Sequence, residues 1–202
     1  MKRTAYLLAG ITAFAGCSKP DAHVTDGVMT KAPKMGRTRV VIDEGTIATN
    51  DVQAIIEPVW WTANIYDSYA AYESSLAEFS HPQRLVYAIE WYAGELYNGG
   101  HYQFYFNSTG IVWADAKKGF EEIGMPEIAE IIAESAKRMG GQPSSVREER
   151  IRALEKDGLD FDDLDNRFYE LSKSIDAKLR EYILENSADF LFDGEVEKPT
   201  TW

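Results

Sequence analysis

Cysteine and histidine are scarce in this chain of 202 residues, and their scarcity excludes several kinds of protein. Cys17 is the single cysteine, so the chain cannot form an internal disulfide. The three histidines are spread along the sequence, whereas a zinc site needs clustered ligands. Glu78 and His81 match the Glu-x-x-His pattern of di-iron bundles, but those sites need the pattern twice. The sequence therefore predicts neither a metal site nor a cofactor.

Motifs for nucleophilic catalysis and phosphate binding are also missing. There is no Gly-x-Ser-x-Gly elbow and no glycine-rich loop with phosphate-binding spacing. The aspartate-rich stretch at 157–166 fails the EF-hand pattern, because Leu164 and Asp165 occupy positions five and six counted from Asp160. We therefore expect that the protein is not an enzyme. Paired carboxylates such as Glu121 with Glu122, or Glu130 with Glu134, lie beside apolar stripes as on a solvated helix face, but any two acids could still converge in space as an acid/base pair.

No apolar run is long enough to span a membrane. A spanning helix needs about 20 apolar residues, and the run at 4–14 has eleven. Two basic residues precede it, as in a secretory signal peptide. Residues 14–17, Phe-Ala-Gly-Cys, resemble a bacterial lipobox, in which the cysteine becomes the lipidated first residue of the mature protein. The sequence thus predicts a lipoprotein-type signal peptide at 1–16 and lipidation of Cys17; the alternative is an ordinary secretory signal cut after Ala15.

Charge is divided unevenly along the chain, and the division predicts partners and location. Residues 17–42 have no sustained period and a net charge of +3, and we interpret them as a flexible basic tether. Residues 43–202 hold 31 acidic and 14 basic residues, a net charge of −17. A basic tether suits anionic lipid headgroups, whereas an acidic domain favours a basic protein partner and repels nucleic acid. We expect lipid anchoring in the bacterial cell envelope, with secretion to the periplasm as the alternative.

The acidic domain at 43–202 shows helical periodicity almost throughout. Two capping boxes mark helix starts, Ser80 with Gln83 and Ser145 with Glu148. The most regular apolar stripe has steps of three and four residues between 164 and 182, and it fits either one long helix or two helices broken near Ser172. The predicted fold class is all-α, a compact bundle of about six to eight helices behind a flexible N-terminal tether.

The most unusual stretch is NGGHYQFYFNSTG, at 98–110. Its two glycines predict the end of a helix, because glycine adopts left-handed conformations at little cost. The rings that follow are expected to share one side of a helical turn, with Tyr102 beside Phe106. Asn107 and Ser108 can bond to nearby backbone groups and start the next helix. We interpret the stretch as part of the fold; if it binds a ligand, the polar groups involved are Asn98, His101, Gln103 and Asn107.

The same stretch resembles the central motif of an all-helical family of unknown function, whose best-described member is a DNA-mimic protein. A second piece, at 159–186, resembles the C-terminal part of that family, and the resemblance covers roughly residues 55–190. It implies an all-helical fold, in which the motif serves packing rather than activity. The motif residues are Asn98, Gly99, Gly100, Gln103, Phe104, Phe106, Asn107, Ser108 and Gly110.

Three functional hypotheses follow. The leading one is a membrane-anchored lipoprotein whose acidic domain is a non-enzymatic module that binds another protein. The alternative is a DNA-mimic or immunity-type protein that neutralises a basic DNA-binding protein or toxin. The third is an enzyme with an unrecognised carboxylate pair. The acidic residues expected to contact a partner are Asp160, Asp162, Asp163 and Asp165.

Overall fold

The structure, a computed structural model, describes residues 34–200. The predicted signal peptide at 1–16, the lipidation site Cys17 and the tether before residue 34 lie outside these residues. Within them most residues are helical, which confirms the predicted all-α class. None of the helices in this part of the chain combines the length and apolarity that crossing a membrane requires.

Six of the helices have eight or more residues, in line with the predicted six to eight. Short 3-10 helices cover Ser108–Val112, Ser172–Ser174 and Ser187–Phe190. The α-helices are α1 (Glu44–Thr49), α2 (Val52–Ile55), α3 (Glu57–Thr62), α4 (Tyr69–Ser75), α5 (His81–Phe106), α6 (Trp113–Glu122), α7 (Pro126–Arg138), α8 (Arg147–Leu154), α9 (Asp162–Leu171) and α10 (Ile175–Glu185).

A two-stranded antiparallel sheet joins the two ends of the described chain. Strand β1 (Met35–Ile42) pairs with β2 (Phe192–Pro199), so that the first residue of β1 lies opposite the last residue of β2. The predicted tether boundary at residue 42 is therefore wrong, because 35–42 form a strand. Val40 and Ile42 point into the core while their neighbours face solvent, the period of two that a half-buried strand requires. The tether interpretation missed this pattern because the strand is short and its partner lies at the other end of the chain.

The long helix α5 forms the centre of the core and packs against α3, α6, α8 and α9. Its start confirms the first capping box: Ser80 Oγ accepts from the Gln83 N–H, and Gln83 Oε1 accepts from the Ser80 N–H. The second predicted capping box is wrong. Helix α8 begins without a side-chain cap. The serine that makes hydrogen bonds before this helix is Ser144, whose hydroxyl accepts from the N–H of Val146 and donates to Glu149.

The two glycines of the motif break α5 without ending it. Gly99 and Gly100 leave the helical conformation, and the helix then resumes and continues to Phe106. Gly100 has φ 69° and ψ −167°, a region that is essentially closed to residues with a Cβ. A Cβ at this position would also overlap the carboxylate of Asp165. The predicted interruption is thus confirmed, but it is a kink between two helical segments.

The apolar stripe at 164–182 forms two helices, the second of the two alternatives that its pattern left open. Helix α9 ends at Leu171, a 3-10 turn follows, and α10 begins at Ile175. Phe168 and Leu179 are fully buried on the two sides of the break. Leu171, which the periodic pattern placed on the apolar stripe, is exposed instead. The change of helix type rotates the stripe, so that α9 and α10 can both face the core.

Replacing Gly100 with alanine tests the kink. We expect Gly100→Ala to lower the free energy of unfolding by at least about 3 kcal/mol, since backbone strain of about 1–3 kcal/mol is joined by the overlap with Asp165. Gly124 is the matched control, because its φ is also positive but a Cβ there meets no atom within 4 Å. Gly124→Ala should cost about 1–2 kcal/mol. Equal losses in urea-induced unfolding would contradict this account of the kink.

Candidate functional site

Three polar side chains of the 98–110 stretch converge on one buried carboxylate, that of Glu95 in α5. Glu95 is 3% exposed. Its Oε2 accepts from Gln103 Nε2 at 2.8 Å and from Asn107 Nδ2 at 2.9 Å, and its Oε1 accepts from Thr109 Oγ1 at 2.8 Å. These three donors satisfy a buried acid that makes no ion pair within the described residues. The predicted capping role of Asn107 and Ser108 is wrong, because neither the 3-10 helix at Ser108–Val112 nor α6 begins with a side-chain cap, and Asn107 donates through Nδ2 to Glu95 instead.

A buried arginine closes the C-terminal end of α5. Arg150 of α8 is 1% exposed, and its guanidinium donates to the carbonyls of Tyr105 (3.1 Å), Asn107 (2.7 Å) and Ser144 (2.8 Å). Carbonyls at the end of a helix lack partners within it and carry partial negative charge, so they suit a cation. Burial lowers the pKa of Arg150 to about 10, which leaves the group charged at neutral pH. Gly110 is required beside it, since a Cβ there would approach Arg150 Nε to 2.7 Å.

His101 is also used inside the protein. Its ring is fully buried, with Nε2 at 2.7 Å from the hydroxyl of Tyr92 and Nδ1 at 2.5 Å from Oδ1 of Asp165. The motif rings divide between core and surface: Phe104 is buried, whereas Tyr102 is 54% exposed. Tyr102 stacks on Phe106 with ring centroids 6.4 Å apart, as the predicted helical turn requires.

The structure thus brings Gln103 and Asn107 together around Glu95 and places His101 in a separate cluster. Asn98 is exposed at the kink. The hydrogen-bonding groups of Gln103, Asn107 and His101 named above are directed at other protein groups. This arrangement supports the interpretation of the motif as part of the fold.

Sequence reasoning missed Glu95, Arg150 and Tyr92, which hold the motif in place. Glu95 carried a usable signal, because it stands in the apolar run of α5, between Ala93 and Leu96, where a solvated carboxylate is out of place. Arg150 carried none: it lies in a strongly charged helix, and only the packing of α8 on α5 shows that it is inside.

The four aspartates predicted to contact a partner differ in their surroundings. Asp163 makes two bonds to Arg138, at 2.5 and 2.8 Å, and these lower its pKa to about 2. Asp165 is bound to His101. Asp160 accepts from the N–H of Asp162 at 2.9 Å, and both of these residues are exposed. Two of the four carboxylates are therefore engaged within the fold.

The acidic pairs considered for catalysis are mostly bound to neighbouring groups. Glu121 pairs with Lys117, and Glu134 lies 3.6 Å from Arg138. Glu122 accepts from the hydroxyl of Tyr182 and lies 3.0 Å from His81 Nε2. Among residues 34–200, no three histidine or acidic side chains are placed to share a metal ion.

One carboxylate has a strongly raised pKa. Burial raises the pKa of Glu90 in α5 to about 7, and the negative charges of Asp176 and Asp51 add to the shift. Glu90 lies only five residues from Glu95, yet it lacks the three donors that stabilise the latter. The two acids therefore contribute to stability with opposite signs.

The model of the DMP19-like protein family matches residues 77–186, more than half of the chain. The match runs from the residues before α5 through α10 and includes the whole motif and the second piece at 159–186. It confirms the family resemblance over this range. No curated protein and no solved structure matches the chain.

Substitution of glutamine for Glu95 and for Glu90 should change the free energy of unfolding in opposite directions. Glu95→Gln places an amide against donors and is expected to lower the free energy of unfolding by about 2–4 kcal/mol. Glu90→Gln is the matched control and should raise it by roughly 1–3 kcal/mol at pH 8.

The pH dependence follows from the raised pKa of Glu90. The folded state favours its protonated form, so its contribution is present below the ordinary value of 4.5 and is lost as the pH rises through about 7. The advantage of Glu90→Gln should therefore vanish near pH 4. Denaturant unfolding at both pH values checks the pair, and equal effects of the two substitutions would refute the assignment.

Proposed function

Because this chain belongs to the family of DMP19-like proteins, we propose that it is a non-enzymatic acidic module that binds a basic protein. The observation that carries the proposal is the charge of −17 on residues 43–202. Opposite charges on two proteins accelerate their encounter and disfavour wrong partners. The acidic surface, rather than the buried motif, is the part that a partner would contact.

Two places on this surface offer carboxylates that make no ion pair within the described residues. Glu127 and Glu130 are exposed on α7, and Asp160 and Asp162 are exposed around the start of α9. None of the four makes an ion pair within the described residues. Asp163, by contrast, would have to give up Arg138 before it could bind a partner.

We further propose that Cys17 is lipidated and anchors the domain in the cell envelope. The basis is the sequence alone: a positive start, an apolar run of eleven residues and a lipobox-like end. The basic residues between Cys17 and β1, namely Lys19, Lys31 and Lys34, would then lie close to anionic headgroups. Anchoring would restrict partners to basic proteins or other basic components of the envelope.

The second candidate function is mimicry of DNA against a basic DNA-binding protein or toxin. Family membership favours it, since the best-described member of the family that the motif resembles is a DNA mimic. Only Asn98 and Gly99 of the motif residues are exposed, however, and Gln103 and Asn107 are bound to Glu95, so what the motif carries here is architecture. Mimicry depends on the placing of exposed carboxylates, and the compartment of the protein decides whether it meets such a target.

Binding can be tested by affinity capture with the purified domain, from envelope extract and from cytosolic extract in parallel. We expect capture of a basic protein at low ionic strength and its loss at high ionic strength, because salt screens exposed charges. A basic envelope protein supports the leading function, whereas a cytosolic DNA-binding protein supports mimicry. Failure to capture any basic protein from either extract would refute both.

Two double variants then show which part of this domain's acidic surface contacts the captured partner. Asp160→Asn with Asp162→Asn removes two charges at the start of α9, and asparagine keeps the oxygen that accepts from the N–H of residue 162. Glu127→Gln with Glu130→Gln removes the same charge from α7. A contact at α9 predicts roughly tenfold weaker binding for the first double variant and a smaller effect for the second. Equal weakening would mean that only total charge matters.

The anchor is tested by the mass of the mature protein isolated from membranes. We expect a chain that begins at Cys17 and carries the added mass of its acyl groups. Cys17→Ala should abolish that mass and release the protein from the membrane. An unprocessed chain that begins at Met1 in the cytosol would contradict the anchor and make DNA mimicry the leading function.

A further inference from the structure

The second segment of α5, residues 101–106, receives its N-terminal cap from another helix. The first N–H groups of a helical segment have no partners within it. Because the backbone leaves the helical conformation at Gly99 and Gly100, the N–H of His101 is such a group. It donates to Oδ1 of Asp165 at 3.0 Å, from a residue 64 positions away in α9. A cap normally comes from the residue just before the helix.

The same carboxylate also holds the side chain of the capped residue. Oδ1 of Asp165 lies 2.5 Å from Nδ1 of His101, and Nε2 of that ring lies 2.7 Å from the hydroxyl of Tyr92. Tyr92 belongs to the first segment of α5, before the kink. One line of hydrogen bonds therefore joins both segments of α5 to α9 at the point where the helix is broken.

Asp165 forms the outer end of this line. Its side chain is 20% exposed, whereas the ring of His101 is fully buried. The carboxylate also packs so closely on Gly100 that a Cβ there would overlap it. The first segment of α5 has its own attachment to α9, because the hydroxyl of Tyr169 donates to the carbonyl of Leu96 at 2.7 Å. Loss of Asp165 would therefore remove the cap of the second segment, which keeps its bonds to Glu95 and Arg150, and would leave the attachment of the first segment in place.

We propose that Asp165 is a latch that holds residues 101–106 on the bundle, and that this segment opens as a local unit when the latch is removed. Opening would loosen the hold of Gln103 on Glu95 while α7 stays folded. The latch also fixes the start of α9, since Asp165 and Asp162 share its first turn. Asp165 is thus a positioning residue for the acidic surface and is not free to contact a partner.

Amide hydrogen exchange, read residue by residue by NMR, tests the latch in the intact domain. Asp165→Ala should accelerate exchange of the 101–106 amides by about tenfold to hundredfold, because the N–H and Nδ1 of His101 lose their acceptor. Asp165→Asn should have a smaller effect, since its amide oxygen can still accept from the N–H of His101. The amides in the middle of α7 should be unchanged in both variants.

Asp162→Asn is the matched control, because it removes a charge from the same turn without touching His101; it should leave the 101–106 amides unchanged. Acceleration spread evenly over α5, α7 and α10 would overturn the proposal, as would no acceleration at all. If Asp165→Ala does not fold, the unmodified protein in low denaturant supplies the test. The 101–106 amides must then exchange through a local opening that costs less free energy than the opening that exposes the α7 amides. Exchange of the 101–106 amides only by global unfolding would refute the latch.

Discussion

The break in α5 is the constraint on which the rest of the structure depends. A helix that stops and restarts inside a core leaves N–H groups at the restart, and its true end leaves carbonyls, all away from water. Buried groups of this kind destabilise a protein unless they find partners. Asp165 of α9 accepts from the N–H of His101 where the helix restarts, and Arg150 of α8 donates to the carbonyl of Tyr105 near its end. The positions of α8 and α9 against α5 follow from this requirement.

The charges of the domain fall into two populations with different roles. Inside, Glu95 and Arg150 are each satisfied by neutral groups, amides and a hydroxyl for the acid and carbonyls for the base. They do not pair with each other, and each shapes the backbone around it. Outside, most carboxylates have no cation close by, which keeps a strong negative field at the surface. A protein with this division can vary its surface charges without disturbing the contacts that hold its fold.

Sequence periodicity was sufficient to predict the helices. It was insufficient to predict the contacts between residues that lie far apart in the sequence. The Ser80 cap depends on neighbouring residues and was predictable, whereas the apolar pattern left open whether the helix at 164–182 is broken near Ser172. Strand β1 was missed, because its partner is β2, more than 150 positions away. The capping role given to Asn107 was wrong for a similar reason, since its side chain donates to Glu95, twelve positions earlier, and caps no helix. Local rules fail where a side chain has a better partner from elsewhere in the fold.

The pairing of β1 with β2 has a practical meaning for anyone who attaches this domain to something else. Met35 lies opposite Pro199, so the chain enters and leaves the described domain at neighbouring points. A reporter fused after β2 would emerge beside whatever holds the chain before β1, and the two attachments would compete for the same space. Because the two ends are close, a short linker could also join them and new termini could be opened in a surface loop. Such a circular permutant would let the domain be immobilised from a different side.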